Sequence, residues 1–276
     1  MTRKRLAAPY LVWMTLSIVL PMGLILYYSL TNAEGGFTLD QFARLVDPES
    51  GQLYFNIFGR SLWLAFLSTV ICLGLGYPAA YLLASRGMKM ANLLLVLFLL
   101  PMWMNFLLRT YAWVVLLQPG GIFHLWMQGI GIANPPQMLN NQGAVVLGMV
   151  YNFLPFMILP IYTSLSKMDH HLLEAARDLG ASPPRVFGRV VLPLSLQGVI
   201  SGIIMVFMPA ASTFVISQLL GGGKQMLIGD LIEGQFTKFN DWNFGSAVSV
   251  ILMLLILLSM RLVNGASEAQ LDPRRK

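Results

Sequence analysis

The chain has 276 residues, 56% of them hydrophobic and 11% charged, where a soluble domain carries about 25% charged residues. That composition excludes an ordinary soluble domain, and a single cysteine, Cys72, excludes an intramolecular disulfide. The formal net charge of +6 does not point to nucleic acid, because the basic residues punctuate long apolar runs and so mark membrane topology.

The first apolar run, Pro9 to Thr31, follows Arg3, Lys4 and Arg5. It exceeds the roughly 7–15-residue core of a signal peptide and has no convincing cleavage site near Asn32, so it reads as an uncleaved anchor. A polar outer loop is expected from Thr31 to Arg60. Leu62 to Ser85 is the second run, with Cys72 inside it as a small packing residue. A short inner turn, Arg86 to Lys89, leads to the third run, Met90 to Leu108. The outer segment Gln118 to Gln142 carries Pro119-Gly120-Gly121 and Pro135-Pro136. Between them Ile122 to Gly129 is amphipathic, as a short helix on the membrane surface would be. Gly143 to Ser166, Leu194 to Leu220 and Phe244 to Met260 are the remaining runs, separated by an inner segment (Lys167 to Leu192) and an outer loop (Gly221 to Asn243). About 20 apolar residues cross the hydrocarbon layer as a helix, which satisfies its own backbone in lipid. The expected fold is therefore all-α with six transmembrane helices, one domain over residues 1–276 with its core at about 60–262.

Orientation follows from lysine and arginine in the connecting segments. With the N-terminus cytoplasmic, thirteen basic residues fall inside: Arg3, Lys4, Arg5, Arg86, Lys89, Lys167, Arg177, Arg185, Arg189, Arg261, Arg274, Arg275 and Lys276. Five fall outside: Arg44, Arg60, Arg109, Lys224 and Lys238. Both termini are expected in the cytoplasm. Seven acidic residues (Glu34, Asp40, Asp47, Glu49, Asp230, Glu233 and Asp241) oppose those five outer cations, a mildly negative face that attracts cations. Pro101, Pro155, Pro160 and Pro209 fall within or near spans, where proline kinks a helix by removing a backbone donor.

The inner segment carries the most specific pattern. Asp169 can cap a helix that Gly180 ends in a left-handed conformation. Ser182 can cap a second helix with Pro183 at its first position. Leu172, Ala176 and Leu179 share a face of the first helix, and Val186, Phe187 and Val190 form an apolar patch on the second. Such a pair offers one face to the membrane helices and another to a partner.

Glu174-Ala175-Ala176, three residues, Gly180, nine residues, Val190, one residue, then Leu192-Pro193 resembles the coupling (EAA) motif of ABC-importer permeases, with Val190 where isoleucine is usual. The resemblance implies the type I importer permease fold and a segment at 167–192 that docks in a cleft of a cytoplasmic ATPase. Glu174, Ala175, Ala176, Gly180, Leu192 and Pro193 would be its coupling residues. Gly76-Tyr77-Pro78, the stretch from Leu219 to Asp230, and Asp241 to Ala247 look like the B-type permeases of spermidine/putrescine importers. Membership of that subgroup implies a homologous second permease, two ATPase copies, an extracytoplasmic substrate-binding protein and a polyamine cargo in a bacterial inner membrane. It also implies no cofactor on this chain, with ATP bound by the partner.

Gly221-Gly222-Gly223-Lys224 lacks the spacing and following Ser/Thr of a phosphate loop. His170 and His171 point about 100° apart on a helix, and His124 stands alone, so no metal site is expected; neither is a nucleophile–base arrangement. Substrate-pathway candidates are Trp103, Asn105, Tyr111, Tyr151, Ser212, Asp230 and Asp241, since aromatic faces and carboxylates attract ammonium groups. Trp113, Asn152, Thr213, Ser217, Gln218 and Glu233 are further polar or aromatic groups. Arg109 would repel a cation in a pathway, which favours a structural or gating role. An ion-coupled secondary transporter would need a carboxylate or histidine inside a span, and none of the six runs holds a carboxylate. A permease for another small solute and a non-transporting membrane scaffold are the other readings.

Overall fold

The computed structural model describes residues 9–271 apart from 33, 48–50, 86, 87 and 133. Arg3, Lys4, Arg5, Arg86, Arg274, Arg275 and Lys276, on which the expected orientation partly rests, lie outside the described residues. The described residues form helices and no strand. Six are long and apolar enough to span a membrane, among them α1 (Pro9–Ser29). In chain order there follow α2 (Asp40–Ala43), α3 (Gly51–Ala84), α4 (Met88–Leu99), α5 (Phe106–Leu117) and α6 (Ile122–Gly129). Then come α7 (Gln142–Ser166), α8 (His170–Asp178), α9 (Pro183–Ser212), α10 (Val215–Gly221), α11 (Ile228–Thr237) and α12 (Trp242–Leu271).

The centre of the bundle is α3, α7 and α9. Ser68 and Cys72 of α3 meet Met149 and Val150 of α7, and Gly76 meets Met157. Residue numbers rise together along that contact, so α3 and α7 run parallel. The chain between them must then cross back once, through α4 and α5. α9 is antiparallel to both. At Gly198 a Cβ would lie 2.6 Å from the Pro160 carbonyl oxygen, so only glycine permits that crossing. Cys72, Met149, Met157, Ile158, Ile161 and Val206 are fully buried there, the packing role expected of Cys72.

A second cluster joins the opposite end. Tyr54 and Ile57 of α3 pack on Phe244 and Val248 of α12, so α12 is parallel to α3. Asn243 donates to the Tyr28 and Thr31 carbonyls at 3.0 and 2.7 Å, holding the end of α1 against the start of α12.

Four expected boundaries change. Residues 51–60 belong to α3 and not to a polar loop, because buried Ile57 and half-buried Tyr54 pack in one cluster with α12. The third run, expected at Met90–Leu108, is discontinuous, and the third stretch long and apolar enough to cross is Phe106–Gly129. Pro101 lies in a single 3₁₀ turn, Leu100–Trp103, and Met104 and Asn105 are extended (ψ 150° and 131°) before α5. The fifth run ends at Ser212, with α10 separate. Gly221 to Asn243 is not an open loop either, since α11 buries Ile228, Leu231 and Gln235 in the bundle. The short helix expected at Ile122–Gly129 is present as α6, and Phe123 stacks on Trp113 of α5 (centroids 6.2 Å, 5° between planes).

Candidate functional site

Asp169 accepts the His171 amide at 3.0 Å and starts α8, a cap worth about 1 kcal/mol. Gly180 ends the helix at φ +78°, with its amide and that of Ala181 bonded to the Arg177 and Ala176 carbonyls. Ser182 is extended before Pro183, as the N-cap position requires, although its side chain makes no capping bond. Its carbonyl instead accepts the Arg185 and Val186 amides.

The helix pair divides its faces differently from the sequence expectation. Leu173 and Ala176 pack toward the membrane bundle. Leu172 and Leu179 point out, Leu179 being 89% exposed. Glu174 and Ala175 are exposed beside them, with His171 Nδ1 3.5 Å from Glu174 Oε2. Leu172, Glu174, Ala175 and Leu179 thus form the free face of α8. Behind it, Val186 and Val191 are buried, and Phe187 sits edge-on to Tyr77 and Tyr81 of α3 at 5.7 Å from each.

Leu192 and Pro193 occupy an informative step. Pro193 has no amide to give to residue 189. The helix accommodates it with a π turn over Phe187–Val191, where the Leu192 amide reaches the Phe187 carbonyl. α9 thereby continues from the α8–α9 turn into the bundle without ending.

The pathway candidates do not converge on one cavity. Trp103 and Tyr111 are exposed, and Asn105 caps α5 by accepting the Leu107 and Leu108 amides. Tyr151 meets Trp113 edge-on at 5.3 Å. Asp241 is engaged twice: it pairs with Arg44 at 2.9 Å and caps α12 through the Phe244 amide. Ser212 bonds the Met208 carbonyl, close to α11, because Gly229 lies against the Ser212 and Thr213 carbonyls.

Asp230 lies at the start of α11, where its Oδ2 accepts the Leu227 amide at 2.8 Å. Burial pushes its carboxyl above the ordinary value; Ser217, the Leu227 amide and Gln218 hold it down, and Glu233 raises it further. Glu233 accepts from Gln218 at 3.1 Å and lies 3.8 Å from Lys238 Nζ. Asp230, Gln218, Lys238 and Phe239 line a cavity of about 250 Å³.

Arg109 is buried. Its Nε donates to Asn152 Oδ1 at 2.8 Å and its Nη1 to the Pro101 carbonyl at 2.9 Å. Sequence reasoning did not see that this arginine and Asn152 are partners; the signal available was Pro101 eight residues before Arg109.

Six apolar stretches long enough to cross a membrane, with a broken third run and an exposed short helix at one end of the bundle, define a multi-pass membrane protein. Residues 74–274 match the binding-protein-dependent transport system inner membrane component family. The chain is 39% identical over 262 residues, 92% of its length and 90% of theirs, to the spermidine/putrescine transport system permease protein PotB of Salmonella typhimurium strain SL1344. It is 39% identical over 255 residues to the protein of that name from Escherichia coli K12, covering 90% and 91% of the two chains. A bacterial ABC transporter involved in the import of the acidic polysaccharide alginate shares the fold, with a TM-score of 0.82 at 15% identity over 98% of this chain and 96% of that one. The chain belongs to the binding-protein-dependent transport system inner membrane component family, and is a permease subunit of an ABC importer in the bacterial inner membrane.

Proposed function

We propose that this permease moves polyamines, spermidine or putrescine, into the cytoplasm. The observation that carries the reading is the 39% identity to spermidine/putrescine permeases over 92% of the chain. The chain is one transmembrane permease domain, with α8 and both termini on the cytoplasmic side. It pairs with a homologous permease and two copies of an ATPase subunit, and receives substrate from an extracytoplasmic binding protein. ATP is held by the ATPase subunits, and this chain carries no cofactor. Glu174, Ala175 and Gly180 form the docking face for the ATPase, Ala176 seats α8 on the bundle behind that face, and Leu192 and Pro193 join it to α9. Of the pathway candidates, Asp230 has the best chemistry for an ammonium group, since Asp241 already holds Arg44. Trp103, Asn105, Tyr111, Tyr151 and Ser212 complete the proposed pathway.

The test is ATP-dependent uptake of labelled spermidine into vesicles holding the chain with its partners. Uptake by the native complex is expected. A complex that assembles with its ATPase and takes up no spermidine or putrescine would overturn the polyamine reading.

A further inference from the structure

The bundle contains one arm that is seated differently from the rest. Where α3, α7 and α9 meet, backbones approach so closely that glycines are required. Between α3 and α4, by contrast, lies an open apolar groove of about 480 Å³, lined by Ala79, Leu82, Leu83, Met90, Leu94 and Phe98. Of the α4 residues whose burial is described, Ala91 alone is buried. The arm joins α5 through Met104 and Asn105, both extended, so no helical hydrogen bonds run across the joint.

What bridges that joint is Arg109. Its guanidinium reaches back from the first turn of α5 to the Pro101 carbonyl and sideways to Asn152 of α7. Asn152 is itself fixed, donating to the Gly148 carbonyl at 2.8 Å. Among the described residues no carboxylate pairs with Arg109. Its charge is met by two carbonyl dipoles and by the Phe106 and Tyr151 rings at 5.9 and 6.0 Å. A charge inside a membrane crossing is costly and marks function by default. Here the planar fork is the property used, because its rigid donors hold the Asn152 and Pro101 acceptors in fixed directions, whereas a lysine ammonium is a flexible point charge.

We propose that Arg109 is a positioning residue for transport: it latches α4 and its 3₁₀ turn at a set angle to the α3–α7–α9 core, and the arm pivots at Met104–Asn105 during the cycle. The groove behind α4 is the space into which the arm moves. α4 begins on the face that carries α8, so its swing opens or closes that face of the pathway.

The test uses the full chain in lipid nanodiscs, in a Cys72→Ala background, with spin-label pairs read by pulsed electron resonance. One pair joins α4 to α7 (Leu93→Cys with Thr163→Cys); the other joins α3 to α7 (Leu75→Cys with Thr163→Cys). Arg109→Gln, and separately Asn152→Ala, is expected to broaden the α4–α7 distribution while the α3–α7 distribution stays narrow. In the assembled importer the same variants lower spermidine turnover at least tenfold with KM unchanged, and Arg109→Lys does not restore it. Unchanged distributions in both variants, or equal broadening of both pairs, would overturn the latch. Absence of spermidine uptake by the native complex would count against the polyamine reading alone, and the spin-label result would still decide the latch.

Discussion

The hydroxyl of Tyr77 lies 2.8 Å from Ser195 Oγ, joining α3 to α9 two residues beyond Pro193. Ser195 also donates to the Leu192 carbonyl at 3.1 Å. Tyr77 thus fastens the start of α9 to α3 from two directions, by this bond and by its edge-on contact with Phe187. Tyr77→Phe keeps the ring contact and leaves Ser195 with a partner, so it should destabilise by about 0.5–1.5 kcal/mol. Thermal unfolding in detergent checks this; a loss well above that range would mean that Ser195 loses its remaining bond.

Glu174 is exposed, and its carboxylate lies 3.5 Å from His171 Nδ1 on the same helix. Glu174→Lys should therefore change stability by no more than about 0.5 kcal/mol and abolish ATP-driven uptake. Parallel measurements of unfolding and uptake separate a docking role from a folding role. Uptake at the native rate would remove Glu174 from the docking face.

Gly180 adopts φ +78° with open space where a Cβ would go. Gly180→Ala should cost about 1–2 kcal/mol from backbone conformation alone, with no clash. The turn between α8 and α9 would shift, and binding of the ATPase should weaken more than the unfolding midpoint falls. Pull-down of the ATPase by the variant reads this directly.

Asp230, outside the six spans, is raised by burial from an ordinary value of 3.8. The unfolded carboxyl therefore loses its proton first as pH rises. Between 3.8 and the higher folded value, the folded state binds more protons and stability falls with increasing pH. Asp230→Asn should flatten that slope and leave the protein at least as stable at pH 7. Unfolding midpoints from pH 4 to 7 for both chains test it, and an equal slope in the two would show that Asp230 does not carry the effect.

Asp241 caps α12 and holds Arg44, whose guanidinium also lies 4.4 Å above the Phe244 ring. Asp241→Ala should lose about 1 kcal/mol from the cap plus the pair. Arg44→Ala should lose less, because half-exposed ion pairs contribute about 0–1 kcal/mol. Reversal of that order in unfolding measurements would assign the stabilisation to Arg44.

The number of crossings was legible in the sequence because hydropathy integrates over some twenty residues and is indifferent to local detail. That same averaging hid the break at Met104–Asn105. Its residues are apolar or capping, so no dip in hydropathy marks it, and Pro101 alone does not say whether a helix bends or stops. α11 was hidden for the opposite reason. With Asp230, Glu233 and two glycines in ten residues it reads as loop, yet Ile228 and Leu231 recur at helical spacing and bury against Ile57 and Phe244. The coupling segment was readable in detail, because Asp169, Gly180 and Pro183 act locally through their own backbones. Which face of α8 is free was not, since that depends on how α8 folds back against the start of α9.

The π turn beside Pro193 has a mechanical meaning. Had the helix broken there, a push on α8 would be absorbed at the membrane surface. Instead α9 is one rod of 30 residues, about 45 Å long, and its far end presses on Gly229 of α11. A tilt of about 5° at the coupling end displaces the other end by about 4 Å. The start of α11, which carries Asp230, and the exposed helix α8 thus stand at opposite ends of one continuous helix, so any tilt imposed at the α8 end is carried along α9 to Gly229.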